Sequence, residues 1–266
     1  MPVPRNLFKA AILAGEPQIG LWLNMAEALP AEIAGKAGFD WLVIDGEHGP
    51  NDLRSILAQL QALQSGAAEP VVRAPMAEPW FIKQLLDIGA RSLLIPMVDS
   101  AEQARALVRA VRYPPRGMRG VGATVARASD FGAIADYAQT AEAEICLIVQ
   151  AESRAAIADL DNIVKVEGID GVFIGPADLA ADMGYLGRMD APEVQAVIED
   201  AIAKIVGAGK AAGILTFSET FNRRYLELGA TFVAVGADVT VFSTALSRLA
   251  RRYKDGGRPE NDAAGY

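Results

Sequence analysis

Apolar residues in this chain come in short unbroken runs, separated by stretches of helical spacing. The runs Ile19–Leu23, Trp41–Asp45, Pro70–Arg73, Ser92–Met97, Ile145–Gln150, Gly171–Ile174, Ala212–Phe217 and Phe232–Gly236 read as strands. Most are continuous rather than alternating, the pattern of parallel strands buried on both faces. Amphipathic helices fill the intervals. Ala26–Ala37, Asn51–Gln64, Trp80–Ile88, Ala101–Val111 and Ser153–Val166 follow strands one to five, and Pro192–Ala208 precedes strand seven. Ser218–Leu228 and Val239–Arg252 follow strands seven and eight. Pro192 suits a first helical turn, where a missing N–H costs little. Endings such as Ile88-Gly-Ala90, Gly207-Ala-Gly209 and Leu228-Gly-Ala230 supply a left-handed cap and a tight return to the next strand. Eight such units of roughly 30 residues predict an α/β fold, a single-domain (β/α)8 TIM barrel. The barrel is expected over residues 1–253, with a polar tail over 254–266 that frays or leans on another subunit. The segment Tyr113–Gln139, with Pro114-Pro115 and Arg116-Gly-Met-Arg-Gly120, breaks the periodicity and reads as a functional loop followed by a helix.

Composition narrows the function. The 266 residues carry 25 Lys+Arg against 33 Asp+Glu, a net charge of −8, which argues against nucleic acid or an anionic membrane as partner. Apolar residues make up 52%, too many for long disorder, yet no run approaches the ~18 needed to span a bilayer. The start, Met-Pro-Val-Pro-Arg, lacks the apolar core of a signal peptide. One cysteine, Cys146, sits inside an apolar run, so it reads as a buried strand residue, and the expected location is the reducing cytoplasm. A single histidine, His48, excludes any metal site built on two histidines.

In a barrel the site forms at the C-terminal ends of the strands. Strand two ends in Asp45-Gly-Glu-His48, strand three in Arg73, strand five in Gln150-Ala-Glu152, and strand six leads into Gly175-Pro-Ala-Asp178. Glu152 and Asp178, at neighbouring strand ends, read either as helix caps or as oxygen ligands of Mg²⁺ or Mn²⁺. His48 lies in a Gly-flanked loop, and with Asp45 three residues earlier it reads as a general base oriented by a carboxylate. Glu47 is by position a surface acid. Arg73 has two readings, an ion pair with a neighbouring carboxylate or a stabiliser of a developing oxyanion. The turn after strand six opens a short helix whose free N–H groups can bind an anion. No lysine falls at a strand's C-terminal end, which argues against Schiff-base chemistry. Neither GxxxxGK[ST] nor a GxGxxG after the first strand occurs, so no nucleotide or organic cofactor is expected.

The segments Trp41-Leu-Val-Ile-Asp-Gly-Glu-His48-Gly, Pro70-Val-Val-Arg73, Ile148-Val-Gln150-Ala-Glu152 and Gly168-Ile-Asp-Gly-Val-Phe-Ile-Gly-Pro-Ala-Asp178-Leu resemble those of the HpcH/HpaI aldolases. That resemblance implies a metal-dependent class II pyruvate aldolase. Such an enzyme cleaves 4-hydroxy-2-oxo acids reversibly to pyruvate, or hydroxypyruvate, and an aldehyde. It also implies a divalent cation (Mg²⁺, Mn²⁺ or Co²⁺) on Glu152 and Asp178, with His48 as base and Arg73 at the enolate oxygen. Gln150, Gly175, Pro176, Ala177 and Asp178 match positions around the bound oxo acid, and Trp22 and Leu215 match pocket walls. Asp87 matches an acidic residue that makes the histidine more basic, a task it would share with Asp45. Family members assemble as hexamers, trimers of dimers that exchange their last helix. One departure is Ala151, where a branched apolar residue is usual. Two other readings stay open: an acyl-CoA lyase of the citrate-lyase β type, and a noncatalytic barrel that binds a keto acid.

Overall fold

The computed structural model describes residues 2–254. The outer part of the expected tail, residues 255–266, lies outside the described residues. The strands are β1 (Gln18–Leu23), β2 (Trp41–Asp45), β3 (Glu69–Arg73), β4 (Ser92–Ile95), β5 (Cys146–Ala151), β6 (Gly171–Ile174), β7 (Ala211–Leu215) and β8 (Phe232–Ala237). Each pairs in parallel with the next, and β8 closes on β1. The expected barrel is therefore the observed one, and every strand start coincides with the sequence reading to within a residue.

The helices in chain order are α1 (Leu7–Leu13), α2 (Ala28–Gly35), α3 (Leu53–Ala62), α4 (Pro79–Asp87), α5 (Ala101–Val111) and α6 (Tyr137–Thr140). They continue as α7 (Arg154–Ala158), α8 (Leu160–Ile163), α9 (Pro176–Asp182), α10 (Pro192–Gly207), α11 (Glu219–Glu227) and α12 (Asp238–Lys254). The helix expected over Ser153–Val166 is interrupted at Asp159, which gives α7 and α8. The side chain of Asp159 accepts the N–H of Ala101, an acceptor spent on the neighbouring helix α5.

Two cores result from the pleat of one sheet. Side chains facing outward, such as Leu42, Ile44, Leu93 and Ile214, pack against the helices. Those facing inward, Trp22, Trp41, Val43, Val71, Ile148, Phe173 and Phe232, fill the barrel. Large rings fit there because small residues face them. A Cβ on Gly20 would sit 2.3 Å from the Trp41 ring, and one on Gly213 would sit 2.0 Å from the Phe232 ring.

The N-terminal helix α1 has no counterpart among the expected elements. It is seven residues long, with an apolar stripe reduced to Phe8 and Ile12. Asn6 caps it, accepting the N–H of Lys9 while donating to Ser92 Oγ at the start of β4. The Phe8 ring packs tilted against Trp41 and edge-on to Phe232, with centroids 5.4 and 5.8 Å apart. The helix thus plugs the barrel at the N-terminal ends of the strands and leaves the other end for chemistry.

The segment 113–139 lies away from the rim. It follows α5, which runs from the C-terminal rim to the base, and β5 then starts at the base. The segment therefore packs at the base of its own chain, as 3-10 turns and the single turn of α6. Arg119 ties it down: the guanidinium is buried, lies 4.5 Å over the Tyr113 ring and donates to Asp87 Oδ1 at 2.8 Å. A cavity of about 770 Å³ lies at this same end, lined in part by Leu60, Leu86, Arg127 and Phe131.

Candidate active site

The register of β2 and β3 puts Asp45 directly beside Arg73. Arg73 Nε donates to Asp45 Oδ1 and Nη2 to Oδ2, both at 2.8 Å, a bidentate pair buried at the strand ends. The third guanidinium nitrogen, Nη1, lies 2.7 Å from Glu47 Oε2. The guanidinium also stands 5.4 Å over the Trp22 ring. Asn24, just past β1, donates to Asp45 Oδ2 at 2.7 Å. Burial pushes the Asp45 carboxyl up, but the hydrogen bond and charge of Arg73, with two backbone N–H groups, outweigh it and hold the pKa below the ordinary value.

His48 does not use Asp45 as the sequence suggested. Asp45 is the last strand residue and points at Arg73, so only the backbone N–H of His48 returns to it, at 3.3 Å. The imidazole is exposed, and its acidic neighbour is Glu47, with Nε2 to Oε2 at 3.9 Å. Glu47 is the residue sequence reasoning set aside. Its side chain is only 15% exposed, because the turn over Asp45 folds it inward against Arg73. Burial raises its pKa, which Arg73 and His48 oppose and the charges of Asp45 and Asp178 reinforce. Asp87 is also not brought to the histidine within the chain. It ends α4, the end remote from the rim, and pairs with Arg119.

On the opposite arc, Gln150 and Ala151 on β5 pair with Phe173 and Ile174 on β6, which places Glu152 against Gly175. Glu152 is buried. Its Oε1 accepts the N–H of Met97 at 2.7 Å, and its Oε2 accepts the amide of Gln150. A Cβ on Gly175 would lie 2.5 Å from Glu152 Oε2, so only glycine lets the carboxylate sit there. Burial raises the pKa of Glu152, opposed by the Gln150 and Met97 donors and reinforced by the charges of Glu47 and Asp178. Neither acid is a cap. Ser153 caps α7 through its own hydroxyl, and Gly175 is the N-cap of α9 with no side-chain bond. Asp178 is exposed in the first turn of α9, behind half-buried Pro176 and exposed Ala177. Gln150 Oε1 is buried without a hydrogen-bond partner. Leu215, at the end of β7, is half-buried against the inner core to which Trp22 belongs.

The rim thus gathers Trp22, Asp45, His48, Arg73, Gln150, Glu152, Gly175, Pro176, Ala177, Asp178 and Leu215, and leaves Asp87 out. Asn24, Glu47 and the N–H of Met97 join them. For Asn24 a signal existed, a polar residue closing an apolar run. Met97 had none, because its contribution is a backbone group. Among the described residues, no group of three or more His, Cys, Asp or Glu side chains is arranged to hold a metal ion.

A closed parallel barrel with its polar groups collected on the C-terminal rim has the architecture of a barrel enzyme. The HpcH/HpaI aldolase/citrate lyase family matches residues 18–245, and the chain belongs to it. It is 72% identical over 266 residues to a hydroxypyruvate/pyruvate aldolase of Agrobacterium fabrum, covering 100% of both chains. It is 56% identical over 248 residues to a 4-hydroxy-2-oxo-heptane-1,7-dioate aldolase of Shigella sonnei, covering 93% of this chain and 95% of that one. The crystal structure of an HpcH/HpaI aldolase/citrate lyase family protein from Burkholderia cenocepacia is 39% identical. It superimposes with a TM-score of 0.90 over 94% of this chain and 99% of that one.

Proposed function

We propose that this protein is a carbon–carbon lyase that cleaves 4-hydroxy-2-oxo acids to pyruvate or hydroxypyruvate and an aldehyde, and runs the reverse addition. The observation that carries the reading is the rim itself. Two carboxylates that cap nothing face an arginine and an exposed imidazole across one barrel mouth. The high identity to two proteins named as aldolases supports it, and favours this reading over an acyl-CoA lyase.

The donor set fits a divalent cation. Glu152 and Asp178 would hold it, Gly175 leaves room beside Glu152, and the unpartnered Gln150 Oε1 faces no competing donor. Burial, with the like charges of Glu47 and Asp178, makes the Glu152 carboxylate costly without a cation nearby. Two carboxylates with the remaining positions left to substrate and water suit Mg²⁺, Mn²⁺ or Co²⁺. Such an ion supplies Lewis-acid polarisation of the 2-oxo group.

The chain's own residues do the rest. Trp22 and Leu215 wall the acid, and Gly175, Pro176 and Ala177 line its edge. Arg73 presents its guanidinium to the oxygen where negative charge develops. His48, exposed at the mouth, takes the proton of the 4-hydroxyl during cleavage and returns it during addition. Asp45 holds Arg73 rather than the imidazole. Any help from Asp87 to a histidine would have to come from a neighbouring copy of the chain.

The bare last helix supports assembly. Apart from Asp238 and Arg252, every side chain of α12 is exposed, including Val239, Val241, Phe242, Leu246 and Leu249. We read α12 as exchanged between protomers of a dimer, three dimers forming the hexamer. No described helix is long and apolar enough to cross a membrane. That and the single buried cysteine support a cytoplasmic location.

The test is aldehyde release from a 4-hydroxy-2-oxo acid. Activity should disappear in EDTA and return with Mg²⁺, Mn²⁺ or Co²⁺. Full activity in excess chelator would refute the metal assignment. Pyruvate binding without any aldehyde release would leave a noncatalytic keto-acid barrel.

A further inference from the structure

Glu47 stands between the two groups that the proposed chemistry needs. Its Oε2 is 2.7 Å from Arg73 Nη1 and 3.9 Å from His48 Nε2. The other two nitrogens of Arg73 are committed to Asp45. Nη1 is the nitrogen with no bond to Asp45, so an anionic substrate oxygen that docks on it competes with Glu47.

The two carboxylates on Arg73 are held very differently. Asp45 accepts hydrogen bonds from Asn24 Nδ2, the N–H groups of Glu47 and His48, and Arg73 Nε and Nη2. It cannot move without undoing the turn. Glu47 is held by fewer contacts: its backbone N–H donates to Asp45 at 3.0 Å, and its carboxylate has the single ion pair with Arg73. Its carboxylate is the displaceable member, and the nearest cationic or donor group on its other side is the imidazole. A movement of about 1 Å converts the 3.9 Å approach into a hydrogen bond.

We propose that Glu47 is a positioning residue that changes partners: it occupies Arg73 in the empty site and moves to His48 when the carboxylate or oxo group of the 2-oxo acid displaces it. The inference rests on the aldolase reading above. Its consequence is an order of events. Arg73 with Asp45 and Glu47 carries one net negative charge, so an incoming anion is opposed until Glu47 leaves. Once it leaves, the imidazole is oriented by a carboxylate only while the acid is bound. The proton acceptor for the aldehyde half is thus set by occupancy of the acid half.

The experiment compares Glu47→Gln and Glu47→Asp with the parent enzyme, all loaded with Mg²⁺ or Mn²⁺. Pyruvate affinity is read by calorimetry, cleavage by aldehyde release, and enolisation by exchange of the pyruvate methyl protons in deuterated water. Glu47→Gln removes the competing charge, so pyruvate should bind about 5-fold tighter. Cleavage should fall by about 10- to 100-fold, and at least 10-fold more than methyl exchange, which needs no aldehyde. Glu47→Asp restores the charge and should return pyruvate affinity toward the parent value. A structural role alone would weaken pyruvate binding and depress cleavage and exchange together. That result, or a Glu47→Gln enzyme that cleaves at the parent rate, overturns the proposal. A parent enzyme that releases no aldehyde would instead refute the aldolase reading.

Discussion

Gly175 and Asp45 show how single residues set this rim. At Gly175 the decisive quantity is the 2.5 Å that would separate an added Cβ from Glu152 Oε2. Gly175→Ala should therefore displace the carboxylate while costing about 1–3 kcal/mol of stability as local overpacking. The expected result is a rise in the apparent Kd for Mn²⁺ and a loss of cleavage of about 10-fold or more. Unchanged metal affinity would mean that Glu152 holds no metal. Asp45 is fully buried and paired to a buried arginine. Asp45→Asn should cost about 3 kcal/mol, because Arg73 keeps Glu47 but loses its bidentate partner. The pH dependence has a definite sign. A carboxyl whose folded pKa lies below its unfolded value stabilises the fold at higher pH, and loses that contribution as the pH falls through the folded value. The gap in Tm between parent and Asp45→Asn should thus be widest near neutrality and narrow below about pH 4. A constant gap would place the ion pair's worth elsewhere.

At the scale of elements, strands were more legible than anything between them. Val71-Val72 and Leu93-Leu94-Ile95 are buried on both faces, so their apolar character is continuous and needs no neighbour to interpret. The rim followed from them, because Asp45, Arg73 and Gln150 are the polar residues at which such runs stop. Glu47 was illegible for the opposite reason. Whether a loop acid faces solvent or an arginine depends on the turn geometry over Asp45, a tertiary fact. The helix α1 was illegible because a seven-residue helix draws its stability from the barrel it plugs, not from its own pattern. Asp87 is a different case: within one chain it lies away from His48, and its ordinary place at the end of α4 says nothing of which chain it serves. The strands also complement one another in volume. Gly213 on β7 makes room for the Phe232 ring of β8, and Gly213→Ala should destabilise the barrel by about 1–3 kcal/mol. Adding Phe232→Leu should recover part of that loss in a double-mutant cycle measured by urea unfolding. Strict additivity would show that the ring yields without cost.

For the whole molecule the informative element is α12. A helix of 17 residues with its apolar residues uncovered is not a stable surface feature of a lone chain. If it is exchanged between protomers, its apolar face becomes part of a partner's wall. Phe242→Asp with Leu246→Asp should then reduce the mass seen by sedimentation toward the 28.1 kDa of one chain. Both side chains are at least half exposed in the single chain, so the substitutions remove little of its own packing. An unchanged assembly would place the interface on another surface. The base offers one, since Val121, Val125 and Phe131 are bare there.

The N–H that holds Glu152 belongs to Met97, whose backbone is left-handed at φ 55° and whose side chain is 67% exposed. Backbone and side chain at this position therefore obey separate constraints. The path of the main chain is fixed by the bond to the carboxylate, and one residue more or fewer between β4 and α5 would misdirect it. The side chain is free to vary among residues that tolerate a left-handed backbone, which disfavours the β-branched ones and bars proline, whose φ is fixed and which lacks the N–H. Glycine would even relieve a conformational cost of about 1–2 kcal/mol. A library built at residue 97 would consequently change what lies along the mouth of the barrel while leaving the carboxylate where it is. That makes it a favourable single place from which to redirect the choice of aldehyde.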